Sequence, residues 1–181
     1  MSATSIHISA LDGIVNVNSL FTLAVFIGLA WNPTDPSNSL IDPAGCSASP
    51  KIAEDLVAFH VYSFSCFLFS SLVALGLKQA TRLVRHHHHG GEDRHFWAFD
   101  LARVNKTALR VGYVVSAVGS VTGSVFLMLA LVNVVQIKLG VLGCGDGGGS
   151  THAYAAVVPL VTFVPAGLLI YVCFVFYAFT R

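Results

Sequence analysis

Four stretches of this chain, at about 13–31, 56–77, 111–137 and 154–179, contain no Lys, Arg, Asp or Glu. Each is long enough to cross the apolar core of a bilayer, which takes roughly 20 residues of helix. Inside hydrocarbon every backbone N–H and C=O must find a partner within the protein, so a charge-free run of this length is helical. Composition agrees: 55% of residues are hydrophobic and 10% charged, against about 25% charged in soluble domains. The expected fold is an all-α membrane protein, a four-transmembrane-helix bundle in one domain.

The first run is expected to be retained rather than cleaved. The segment "MSATSIHISALD" before it has no Lys or Arg, and no small-residue cleavage site with a polar mature start follows. The run ends in Trp31-Asn32-Pro33, an interfacial aromatic and then a helix stop. Orientation follows from basic residues. Seven of the ten lie between the second and third runs: Lys78, Arg82, Arg85, Arg94, Arg103, Lys106 and Arg110. By the positive-inside rule that loop, 78–110, and both termini are cytoplasmic, and the other two loops are exoplasmic. The membrane itself, plasma membrane or endomembrane, is left open. No myristoylation or prenylation signal is present, and with Arg181 just past the fourth run no C-terminal soluble domain is expected.

Asp12 is placed to cap the first helix. Asn16 and Asn18 then fall in its first turns, at headgroup level, with bonding to a neighbouring helix as the alternative. The loop "NPTDPSNSLIDPAGCSASPK" reads as turns. Its end, Ser49-Pro50, is an N-cap followed by proline at the first helical position. His60 then lies about a turn inside the boundary, where an interfacial, hydrogen-bonded neutral imidazole is expected, although an intramembrane His is a functional candidate. In the fourth run Pro159 and Pro165 each remove a backbone hydrogen bond and favour a kink.

The third run has the clearest internal pattern. Gly112, Ser116, Ser120 and Ser124 recur every four residues, with Gly119 and Gly123 forming a GxxxG beside them. Small residues along one helix face let another backbone approach closely, which is how helices associate in lipid. The stripe is a helix–helix seam, facing either this chain's own helices or a second protein.

Cys46 and Cys144 lie in the two exoplasmic loops, so a Cys46–Cys144 disulfide is expected. Cys66 and Cys173 fall inside runs, as small apolar residues. The tract His86–His89 precedes Gly90-Gly91 in the cytoplasmic loop. Adjacent histidines do not offer the separated ligands that zinc uses, so no metal site is expected and the tract reads as solvated loop. Beyond it, Trp97, Leu101, Val104 and Ala108 share one helical face, with Arg94, Arg103 and Lys106 supplying positive charge. That is an amphipathic helix for the cytoplasmic leaflet and its anionic lipids, or for docking a partner's cytoplasmic region.

No nucleotide loop, nucleophile elbow, HExxH or paired carboxylate occurs, so no catalytic residue and no cofactor is expected. No acidic residue lies within a run to carry protons or cations, and the basic residues are juxtamembrane, which gives no support to nucleic-acid binding. The segments "SALDGIVNVNSLFTLAVFIGLAWNP" and "AEDLVAFHVYSFSCFLFSSLVALGLKQA" resemble a family of small plant membrane proteins named for maternal effect embryo arrest. The resemblance lies mainly on the first two runs and implies a plant four-span protein, but no reaction and no active-site residues. The function expected is a non-catalytic accessory or scaffold subunit packed against a larger integral membrane protein such as a pump, channel or transporter. The alternative is a homo-oligomeric channel or small-solute carrier using Asn16, Asn18, His60 and the proline-bearing fourth helix.

Overall fold

The computed structural model describes residues 3–30, 48–87, 106–143 and 149–180. They form four helices, α1 (Ala3–Ala30), α2 (Pro50–His87), α3 (Lys106–Leu139) and α4 (Gly149–Thr180). All four are long and apolar enough to cross a membrane, over Ile8–Ala30, Pro50–Arg82, Leu109–Leu139 and Thr151–Phe174. The four-helix transmembrane architecture read from the sequence is therefore the fold.

The helices overrun the apolar runs because backbone hydrogen bonding does not stop where hydropathy falls. α1 starts nine residues ahead of Asp12, so this side chain is no N-cap. Its carboxylate pairs instead with Lys78 of α2. α2 begins at Pro50, as the Ser49-Pro50 signal implies, and the Ile52 amide donates to the Ser49 carbonyl at 3.0 Å. At its other end α2 continues to His87, so 78–87 is helix rather than loop, and the backbone of His86 and His87 belongs to it. His88 and His89 lie outside the described residues. α3 stops where Gly140 takes a φ of 93° and its amide caps the Gln136 carbonyl at 3.0 Å, the left-handed helix ending that glycine allows. α4 runs unbroken through Pro159 and Pro165.

α2 and α3 are the central pair; α1 packs mainly on α2, and α4 mainly on α3. Buried positions on α2 recur at alternating spacings of four and three: Leu56, His60, Ser63, Phe67, Ser70 and Ala74. That is a seven-residue repeat of the kind that keeps one seam facing a partner along the whole helix. Near the ion pair, Leu11 and Ile14 of α1 meet Ala74 and Tyr113, and Tyr171 of α4 packs against them. Toward the other end Val25, Phe67 and Leu127 form a second cluster, flanked by Phe21.

Candidate functional site

The stripe on α3 faces inward. Ser116, Ser120 and Ser124 are buried, and the glycines make room for α2. A Cβ at Gly112 would meet the Leu77 side chain at 2.8 Å, one at Gly119 the Ser70 Cβ at 3.2 Å, and one at Gly123 the Phe67 ring at 2.9 Å. Of the two partners that the sequence leaves open for this seam, the structure shows the chain's own helices.

The close approach lets side-chain hydroxyls reach across to the neighbouring backbone. Ser70 of α2 donates to the Ser116 carbonyl at 2.6 Å, and Ser116 of α3 donates back to the Ser70 carbonyl at 2.9 Å. Seven residues along α2, Ser63 donates to the Gly123 carbonyl at 2.8 Å. These hydroxyls bond carbonyls already used within their own helices, which carry a second lone pair.

α1 joins this network through Asn18, which is fully buried (0% exposed). Its amide nitrogen donates to Ser70 Oγ at 2.8 Å, and its amide oxygen accepts from Ser120 Oγ at 2.6 Å. Headgroup-level polarity is therefore not the role of Asn18: one amide ties α1 to both central helices. The helix starts early enough to carry Asn18 well inside the apolar span. Asn16, two residues before it, points outward.

His60 lies at the far end of the α1–α2 contact, 2% exposed. Its Nδ1 sits 2.9 Å from the Leu56 carbonyl. A carbonyl only accepts, so a neutral ring carries its proton on Nδ1 and presents the Nε2 lone pair elsewhere. That edge abuts α1: a Cβ at Gly28 would lie 2.5 Å from Nε2. His60 is hydrogen-bonded as expected, but as part of a helix contact rather than facing the interface.

The remaining predicted positions are placed less fully. Arg94, Trp97, Leu101, Arg103 and Val104 lie outside the described residues, as do Cys46 and Cys144. The backbone of Lys106 is the first residue of α3. Among the described residues, Cys66 and Cys173 are free thiols, and no group of three His, Cys, Asp or Glu side chains is disposed to hold a metal ion. Sequence reasoning missed Ser63 and Ser70. The signal was present as their seven-residue separation, but runs of Phe, Val and Leu around them hide a polar seam from hydropathy.

In comparisons with known proteins, no family model, no curated protein and no solved structure matches the chain.

Proposed function

We propose that this protein is a non-catalytic accessory or scaffold subunit that packs laterally against a larger integral membrane protein such as a pump, channel or transporter. One observation carries this reading: the polar side chains at mid-span bond one another across Asn18, Ser70, Ser116 and Ser120. Polar groups that conduct or carry a solute must exchange partners with it, whereas these are committed to holding helices together. The channel or carrier alternative thereby loses Asn18 and His60, both buried inside one chain.

The inward-facing α3 stripe is occupied by α2, so a partner must be met elsewhere. α4 is the most weakly embedded helix, with Phe163 76% and Phe174 71% exposed, and it is the face we assign to that contact. With the reading go the orientation implied by the basic residues, both termini cytoplasmic, and anionic lipid at the segment from Arg94 to Lys106. The Cys46–Cys144 disulfide and the plant family resemblance are proposed with it. The test is gentle solubilisation from native membranes, then sizing and mass spectrometry of what co-migrates. A larger integral membrane protein in fixed stoichiometry supports the proposal; recovery of this chain with no second protein overturns it.

A further inference from the structure

Asn16 is left over by the bundle. It lies on α1 inside the span Ile8–Ala30, about 6 Å along the helix past Asp12 at 1.5 Å per residue. Its side chain is exposed, and among the described residues its amide has no partner. Three outward hydroxyls on the spans bond their own helix. Ser19, Ser65 and Thr162 each donate to the carbonyl four residues earlier, at 2.8, 2.8 and 2.9 Å. Asn16 makes no such bond, and its amide holds two donors and an acceptor on the outward side of α1, one turn past the Asp12–Lys78 pair.

The face around it is open. Gly13, Asn16, Leu20, Leu23 and Ile27 follow one another at spacings of three and four along α1. Leu20 is 68%, Leu23 56% and Ile27 52% exposed, and nothing lies within 4 Å of where a Cβ at Gly13 would be. This is the spacing of a seam between two helices, and the opposite side of α1, through Asn18 and Gly28, is already spent on α2.

We propose that this face of α1 is the contact between two copies of the chain, centred on an Asn16–Asn16 hydrogen-bonded pair. Copies of one protein share a single orientation in a membrane, so their α1 helices run parallel and like residues meet at the same depth. An amide offers both donor and acceptor, so two of them related by a twofold axis along the membrane normal satisfy each other. Gly13, one turn away, lets the backbones close on the polar side, and Leu20, Leu23 and Ile27 continue the packing across the membrane. Lipid tails provide no partner for the amide. The contact leaves α4 free and does not depend on the larger partner proposed above.

The experiment uses the full chain in membranes, with its four cysteines replaced and single cysteines introduced by Leu20→Cys, Leu23→Cys, Leu72→Cys or Val118→Cys. The last two control for collision, since Leu72 on α2 and Val118 on α3 are 61% and 58% exposed. Oxidation is expected to give disulfide-linked dimers from the α1 positions and not from the controls. In parallel, sedimentation in micelles compares wild-type, Asn16→Leu and Asn16→Gln chains with native cysteines intact. Asn16→Leu is expected to weaken self-association roughly three- to thirty-fold, and Asn16→Gln to retain it. Equal cross-linking at all four positions, none on α1, a cross-link to a different protein, or unchanged self-association in Asn16→Leu would each overturn the proposal.

Discussion

Asn18 and Ser70, 52 residues apart in the chain, share a buried 2.8 Å hydrogen bond that ties α1 to α2. Ser70 also reaches the Ser116 carbonyl, and the other end of the Asn18 amide accepts from Ser120. Three helices thus meet at one amide, in a medium where apolar surface alone gives helices little reason to prefer each other over lipid.

Asn18→Ala strips partners from two buried hydroxyls at once. The expected loss is about 1–3 kcal/mol of stability, read as a lower midpoint of unfolding in detergent. Combining Asn18→Ala with Ser120→Ala should cost less than the sum of the two, with a coupling of roughly 0.6–1.7 kcal/mol.

The glycines of the α2–α3 seam should differ sharply from those outside it. At Gly123 an added methyl lies 2.9 Å from the fully buried Phe67 ring, and at Gly119 it meets the Ser70 Cβ and the Cys66 carbonyl. Gly123→Ala is expected to destabilise by about 1–3 kcal/mol through overpacking. Gly76→Ala, with nothing within 4 Å of the new methyl, should be neutral or stabilising by up to about 1 kcal/mol. Thermal unfolding of the two variants side by side settles the ordering.

Gly28 and His60 form a second paired site. Gly28→Ala drives a methyl into the imidazole edge and is expected to lower stability or loosen α1 from α2. In a His60→Ala background the same substitution should be nearly silent. Equal damage from Gly28→Ala in both backgrounds would show that the ring is not what the glycine accommodates.

The Asp12–Lys78 pair is part-exposed, with side chains 43% and 19% accessible, so screening limits it to about 1 kcal/mol or less. A charge reversal should still be detectable by swap: Asp12→Lys places two cations together, and adding Lys78→Asp should restore the wild-type melting temperature. Because both residues sit at one end of the bundle, the swap leaves the charge of that end unchanged. Rising salt should shrink the difference between single and double variants.

The spans were legible because charge-free runs of this length have few other fates, and Ser49-Pro50 located the start of α2 through the chemistry of a helix N-terminus. Asp12 misled for a physical reason: a carboxylate beside an apolar run looks the same whether it caps a helix or continues one. Misplacing that start moved Asn18 to the headgroups when it belongs at the seam. The α3 stripe stood out because serine and glycine alternate among valines, whereas Ser63 and Ser70 of α2 sit among phenylalanines that dominate the local hydropathy. Which of two asparagines, Asn16 or Asn18, faces inward depends on where α2 lies, and that information is nowhere in α1.

The central claim is that the polar seam is dry and structural. The most direct measurement is thiol accessibility of Ser120→Cys and Asn18→Cys in sealed vesicles, with native cysteines replaced and Lys51→Cys at the exposed start of α2 as the positive control. A charged, water-soluble thiol reagent is expected to modify Lys51→Cys and leave the two seam positions untouched from either side of the membrane. Modification of Ser120→Cys in a folded protein would contradict the account, because it would place water, and a route for solutes, where the structure has helices bonded to one another.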